Sequence, residues 1–524
     1  PASGPVVVVC NHPFGVVEGL ILTKILRDVR PDVRIMANHM LGLVPEMDQY
    51  LIPVDPFGRT ESAKKNISGM KAALRWLKDG GMLGVFPAGE VASLRVKKGM
   101  VVDPEWSPTV ARIIQKTGAS ALPVFFSGRN GALFQTMGLI HPRLRTVMLP
   151  RENLKRSGGN VDIAVGNPIP AKKLQALDSP EELIKYLRFR TYVLSKRGAR
   201  KPPRQDRMQA RPAPLARPVP PERIAAEVAA LPAGQILLES GRYMVFEGGA
   251  EQLPHVLEEL GRLREKTFRL VGEGSGKPAD IDRFDATYRH LVLYDAEARE
   301  IAGAYRFARV DDILEAEGKK GLYSHTLFRI KDDMLGRIRQ GLEMGRSFVV
   351  PEHQKCYQPL LLLWKGIAAY VARHPRYRYL FGCVSMSNDY SPVSRELIVN
   401  FLERHSFLRE YEHLVKPRNP PKLKAVKRLD AYLPDSAFSD PQDVAALIAD
   451  VEIDKSIPVL FKQYLKLSGK VLAFNMDPDF GDCMDALMLV DLMRTERKTL
   501  ERFMGKENYA AWREHQEQDA LVEA

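Results

Sequence analysis

A chain of 524 residues is too long for one ordinary core, so two or more domains are expected. Its 45% hydrophobic and 27% charged content is that of a globular protein, which excludes wholesale disorder, and no apolar run is long enough to span a bilayer. Lys and Arg number 77 against 64 Asp and Glu, and the resulting charge of +13 favours anionic partners: a phospholipid surface, nucleic acid or an acidic carrier protein. No zinc finger, RNP signature or zipper is visible, which places nucleic acid last. Cys10, Cys356, Cys383 and Cys483 are widely spaced without a Cys-x-x-Cys pair, so a reducing compartment is expected, with no disulfide framework and no metal site.

In chain order, residues 6–10, 34–37, 82–86, 121–126 and 161–165 read as strands. Residues 20–28, 61–78, 108–117 and 180–194 read as helices between them. That alternation predicts an α/β domain with a mostly parallel sheet. Residues 131–140 (GALFQTMGLI) fit a loop that dips into a membrane surface equally as well as a core turn. The clearest break is 196–222, basic and proline-rich, which reads as an extended linker. The chain starts at Pro1 with no secretory signal, and an amphipathic anchor is expected in a segment upstream of it.

Beyond the linker, 243–246, 290–294, 300–308, 322–330, 348–350 and 379–385 read as strands, and 251–268, 332–342, 359–373 and 392–405 as helices. This is a mixed, α+β pattern, in which 302–307 and 323–328 are expected to pair antiparallel. The apolar signal after Pro420 is expected to pack on this second domain, and the charged end as a surface helix. The predicted organisation is 1–205 and 233–493 as domains, 206–232 as linker and 494–524 as a C-terminal helix.

Asn11-His12-Pro13-Phe14-Gly15-Val16-Val17-Glu18-Gly19 lies where the first strand hands over to the first helix, a common place for chemistry in α/β folds. An imidazole there can take a proton from a hydroxyl while a carboxylate steadies the ring, although a helix-start loop with a chance His and Glu fits equally. Arg59 follows the turn Val54-Asp55-Pro56-Phe57-Gly58, where a planar guanidinium suits phosphate. Phe86-Pro87-Ala88-Gly89-Glu90 follows the strand 82–86 and offers turn amides and a carboxylate, with Arg95, Lys97 and Lys98 beyond. Leu122-Pro123-Val124 leads to a further strand-end turn, Ser127-Gly128-Arg129-Asn130.

These four blocks, in this order, resemble those of the glycerophospholipid acyltransferase family over about the first 200 residues. The resemblance implies His12 as general base and Glu18 as its orienting acid, with Arg59, Gly89, Glu90 and Arg129 about the substrate. It departs from the family pattern in two places. Five residues rather than four separate His12 from an acid that is Glu rather than Asp, and Ala88 stands where the family has Glu. Six steps along a regular helix would separate the pair, so Pro13–Gly15 must form a turn before the helix begins. These variants look like the hemolysin-like and lyso-ornithine-lipid branch.

In the second part, Arg264-Glu265-x-x-Phe268 is followed by Asp280, Asp282 and Asp285, then by Arg306 on a strand and by Glu343 and Arg346. The set resembles the acyl-carrier-dependent branch of GNAT-like acyltransferases, which includes acyl-homoserine-lactone synthases and ornithine N-acyltransferases. That resemblance implies a GNAT-like fold and amide formation from an acyl thioester. Asp282 and Glu343 would hold the cationic amino acid, and one of them or a water would take the proton; Arg306 and Arg346 would bind either the amino-acid carboxylate or phosphopantetheine. Arg264, Phe268 and Asp280 complete the expected binding set. Arg269-Leu270-Val271-Gly272-Glu273-Gly274 mimics the pyrophosphate turn of acetyl-CoA-dependent enzymes, but it follows a helix instead of joining a strand to one, so it is set aside. Gly272–Lys277 falls one residue short of a P-loop.

Together the halves resemble two-step ornithine lipid synthases. No bound cofactor or metal is expected, and acyl carrier protein is the expected donor and partner. The expected location is cytoplasmic, peripheral on the inner membrane. Rival readings keep the architecture with glycine, lysine or glutamine, or a lysophospholipid, as acceptor, or leave one domain inactive in a hemolysin-like scaffold.

Overall fold

A computed structural model describes residues 3–38, 45–55, 60–95, 100–140, 142–155, 158–198, 212–423 and 440–523. The chain divides into two compact units, 1–199 with 424–456, and 200–423 with 457–524.

The first unit runs β1 (Val6–Cys10), α1 (Val17–Val29), β2 (Val33–Asn38), β3 (Leu51–Val54), α2 (Thr60–Lys78), β4 (Met82–Val85), β5 (Ser93–Arg95), β6 (Met100–Val102), α3 (Pro108–Thr117), β7 (Ser120–Phe126), α4 (Ala132–Ile140), α5 (Pro142–Leu154), β8 (Ile163–Val165), α6 (Ala171–Gln175) and α7 (Pro180–Val193). Its sheet has the order β3-β2-β4-β1-β7-β8. Only the β7–β8 pair is antiparallel. β1 lies at the centre, between β4 and β7, and is wholly buried, which is why its sequence is an unbroken apolar run. Val6, Val8 and Cys10 pack with Leu22 and Leu26 of α1 and with Val124 and Phe126 of β7. Ser107 caps α3, Pro108 opens it and Gly118 closes it in the left-handed conformation, so its bounds coincide with those read from sequence. Residues 132–140, read as a loop or core turn, form α4, and Leu133 and Leu139 on it are exposed.

The second unit holds α8 (Pro221–Ala229), β9 (Ile236–Ser240), β10 (Tyr243–Gly249), α9 (Pro254–Leu270), β11 (Arg289–Asp295), β12 (Glu300–Arg309), α10 (Val310–Ala316), α11 (Ser324–Leu327), β13 (Phe328–Ile330), α12 (Asp332–Arg337), β14 (Gly341–Val349), α13 (Gln358–Arg373), β15 (Tyr379–Met386), α14 (Pro392–His405) and β16 (Val415–Pro417). The chain then passes through α15 (Pro441–Val451), α16 (Val459–Lys466), β17 (Lys470–Asp477), β18 (Cys483–Asp491), α17 (Arg497–Met504) and α18 (Lys506–Glu523). The sheet order is β17-β18-β15-β14-β12-β11-β10-β9. It is mixed: β14 and β15 run parallel, pairing only from Gly341–Glu343 to Tyr379–Phe381, and then continue unpaired with one another as a wedge. Alternate residues of β12 serve opposite faces. Tyr305 and Phe307 pack on Trp364 and Tyr370 of α13, whereas Ala304 joins the core under α9.

Four expectations are corrected. Residues 322–330 are not one strand beside β12, whose neighbours are β11 and β14; they turn through α11 into β13, which pairs with β16. Ser324 and Tyr323 donate their amides to Glu343, and this bends the chain out of a strand. The second half of the expected linker is packed. Val219, Ile224, Val228 and Leu231 join the α9 core, and the Val219 amide donates to Glu259. The C-terminal helix is not merely a surface element, for Trp512 is fully buried and its indole donates to the Tyr377 carbonyl at 3.1 Å. Finally, α15 belongs to the first unit rather than the second. Its Asp450 is buried and takes the guanidinium of Arg190 at 2.6 Å and the Asn167 amide at 2.6 Å. A buried arginine on α7 requires that counter-charge.

Candidate active sites

At the C-terminal end of β1 the chain turns before α1 starts at Val17, as the spacing of His12 and Glu18 required. Gly15 has φ +116°, and a Cβ there would lie 2.8 Å from Leu149 Cδ2, so only glycine fits without displacement. The turn brings His12 Nδ1 to 2.8 Å from Glu18 Oε1, a contact short enough for an ion pair but without the alignment of a full hydrogen bond. Glu18 is fully buried and accepts the amides of Phe14 at 2.9 Å and Gly15 at 2.8 Å. Burial alone would push the His12 imidazolium down, but the charge and close contact of Glu18, with Asp103 nearby, lift its pKa above the ordinary value. Burial likewise pushes Glu18 up, and His12 with the two amides holds it below the usual carboxylate range.

Sequence reading missed Asp103. It is 2% exposed, takes the His12 amide at 3.1 Å and the Trp106 indole at 2.9 Å, and burial raises its pKa. Arg188 donates to the carbonyls of Asp103 and Pro104, both at 2.8 Å, and so ties this segment to α7. Asn11 clamps β1 to β7 by donating to the Phe126 carbonyl and accepting the Phe126 amide. The Phe86 ring packs tilted against the His12 ring, with centroids 4.8 Å apart. Gly89, with φ +67°, and Glu90 are exposed on the turn after β4; Arg129 is exposed after β7. Arg59, Lys97 and Lys98 lie outside the described residues.

Neutralising Glu18 removes the charge that raises His12. Glu18→Gln is therefore expected to move the acidic limb of the pH profile of any reaction that uses His12 as base to lower pH, and to slow that reaction by about 10- to 100-fold. An unshifted limb would separate Glu18 from the titration of His12.

In the second unit the expected arginines and aspartates form one network. Arg264, fully buried, donates to Asp285 at 2.7 Å and lies 3.1 Å from His290 Nδ1. Arg306, 1% exposed, reaches Asp282 at 2.5 Å and Asp285 at 3.1 Å. Arg346, at a left-handed φ of +48°, lies 2.9 Å from Asp280 and 3.1 Å from Asp282. Burial, with Arg306 alongside, pulls Arg264 down despite Asp285; Asp285, which burial alone would raise, is held far below the carboxylate range by Arg264 and Arg306. Burial beside Arg264 pulls His290 down to about 4, so it is neutral. Phe268 packs edge-on to Phe348 and Phe480.

Glu343 lies buried beside this network. Its oxygens accept the Tyr288 hydroxyl, the Tyr323 amide at 3.0 Å and the Ser324 amide at 2.6 Å, and it is 2% exposed. A carboxylate so engaged holds the β13 segment to β14. Tyr288 and His290, part of this network, carried no sequence signal beyond their place on or beside a strand. Among the described residues Asp295, Glu300 and His353 are close enough to share a cation, but Asp295 is engaged by Arg242 and His353 by Tyr243.

Two acyltransferase domains thus stand on one chain. Residues 1–199 match a family model described as Acyltransferase, and 263–365 match one described as Acetyltransferase (GNAT) domain. The chain is 31% identical over 255 residues to a glycine N(alpha)-acyltransferase of Phocaeicola vulgatus, covering 45% of this chain and 76% of that one. An L-ornithine N(alpha)-acyltransferase of Rhodobacter capsulatus is 30% identical over 45% of this chain and 86% of its own. A lyso-glycine lipid O-acyltransferase of Phocaeicola vulgatus is 26% identical over 37% of this chain and 70% of its own. The protein is an acyltransferase, and it belongs to the N(alpha)-acyltransferase family that the first two relatives represent.

Proposed function

We propose that the chain makes a diacylated amino-acid lipid in two steps. The observation carrying this reading is that one chain is similar both to amino-acid N(alpha)-acyltransferases and to a lyso-lipid O-acyltransferase. In the second unit the neutral α-amine attacks a 3-hydroxyacyl thioester, an amide bond forms, the thiol leaves and the amine proton passes to water. Asp280, Asp282, Arg264, Arg306 and Arg346 preorganise that site; Arg346, on the strand that borders the wedge, is the residue best positioned to meet substrate. In the first unit His12, with Nδ1 turned to Glu18, takes the hydroxyl proton of the lyso product at Nε2, and the alkoxide attacks a second thioester. Glu90 and Arg129, exposed at the ends of β4 and β7, border that site, and Arg59 binds acceptor phosphate or carboxylate.

Ornithine is the proposed amino acid, and acyl carrier protein, whose acidic surface complements a charge of +13, the proposed donor. The lipid product calls for peripheral attachment to the cytoplasmic face of the membrane; among the described residues no helix is long and apolar enough to cross one. A second reading, with glycine as acceptor, is favoured by the glycine-directed relatives. Expression of the full-length chain in a host without aminolipids, followed by lipid mass spectrometry, tests both. An ornithine-containing diacyl lipid supports the first, a glycine lipid the second, and no new aminolipid overturns the synthase reading.

A further inference from the structure

A two-step synthesis makes one demand of its first step. Glycine, ornithine, lysine and glutamine carry no hydroxyl, so the oxygen acylated in the second step must arrive on the first acyl chain. The N-acylation site must therefore tell a 3-hydroxyacyl thioester from a plain one. An apolar channel cannot favour the hydroxyl. A buried hydrogen-bonding group can, because a plain chain leaves it unpaired.

Two such groups lie beside the wedge. Ala304 of β12 pairs with Phe348 of β14, and Arg306 with Gly345, so Tyr305 stands opposite a bulge formed by Arg346 and Ser347. β14 stops pairing with β15 after Glu343, which places this bulge on the wedge wall. The Tyr305 hydroxyl is buried, with the Ser347 side chain beside it but no aligned hydrogen bond. Burial, eased by Ser347, pushes it up to about 12, so it stays a neutral hydroxyl. The Tyr305 ring meets Trp364 of α13 edge-on, with centroids 6.1 Å apart. Trp364 is 4% exposed, and its indole N–H has no acceptor among the described residues. The other three tryptophans all donate: Trp76 to the Met82 carbonyl, Trp106 to Asp103 and Trp512 to the Tyr377 carbonyl. Trp364 also lines a narrow cavity whose other walls are all apolar, among them Val371, Leu380, Leu467 and Leu500. Leu380 sits on the stretch of β15 that still pairs with β14, so the cavity lies toward the closed end of the wedge.

We propose that Tyr305 and Trp364 select the 3-hydroxyl of the acyl donor, with the chain beyond it directed toward the apolar cavity. The proposal rests on the N-acylation reading above and deepens it by naming the donor feature that site takes. A hydroxyl oxygen accepts from the indole N–H, and the Tyr305 hydroxyl can donate to it or accept from it. A plain chain sets a methylene against both groups and leaves them unpaired.

The test gives the purified full chain a mixture of ornithine and glycine. It compares kcat/KM for 3-hydroxyhexadecanoyl and hexadecanoyl thioesters, each presented on acyl carrier protein and on coenzyme A. The wild type is expected to prefer the 3-hydroxyacyl donor, and Trp364→Phe, which keeps an aromatic ring and removes the N–H, to reduce that preference by about 10-fold. Tyr305→Phe provides the same readout should Trp364→Phe fail to fold, as judged by its melting curve. A merely structural role would slow both donors alike and leave their ratio unchanged. A wild type indifferent to the hydroxyl, or folded variants with an unchanged preference, overturns the assignment while N-acylation stands. A wild type that acylates no α-amine overturns the N-acylation reading itself, and the assignment with it.

Discussion

Replacing His12 by alanine is expected to lower O-acyl transfer by about 10²- to 10⁴-fold, the range for loss of a positioned general base. N-acylation should be unaffected, so cells producing the variant would accumulate the lyso lipid. The expectation follows from the geometry at the end of β1. The imidazole faces a carboxylate at 2.8 Å on Nδ1, its ring packs on Phe86, and its backbone is held by Asp103 and Ala92. Those contacts fix the ring at the end of the strand, where a substrate hydroxyl could approach Nε2. Lipid mass spectrometry reads the result directly. An unchanged level of diacylated product would remove His12 from the reaction.

Replacing Arg306 by alanine is expected to cost about 3–5 kcal/mol, because it strips Asp282 and Asp285 of a buried partner and leaves uncompensated charge. The guanidinium also lies over the rings of Tyr288 at 5.3 Å and Tyr323 at 5.7 Å, so packing is lost along with charge. For a unit of this size the melting temperature of the second unit should fall by about 10 °C. Lysine should restore little, since it cannot bridge two carboxylates in a planar fork. Calorimetry together with N-acylation separates two roles. Loss of activity with an unchanged melting curve would make Arg306 a substrate-binding residue instead of a structural one.

Glu343 shows why residue type and spacing were insufficient in this unit. The sequence presents an acid on a strand near Arg346, which suits amine binding. The fold brings Tyr288 and the amides of Tyr323 and Ser324 onto its two oxygens from 55, 20 and 19 residues away. The motif that resembles a pyrophosphate turn was set aside on its local context, and the fold brings the Ser385 hydroxyl onto its Glu273 from 112 residues further on.

The sequence by itself determined what depends on short range. The buried valine run of β1, the proline and glycine bounds of α3, and the turn that joins His12 to Glu18 all follow from local sterics and periodicity. Tertiary structure alone decided which distant groups neutralise or share a buried charge. Asp103 reaches His12 across 91 residues, and Asp450 draws α15 to the first unit by meeting Arg190 across 260. Desolvation makes such a charge seek whichever partner the completed fold places beside it, and that choice leaves no mark on local spacing.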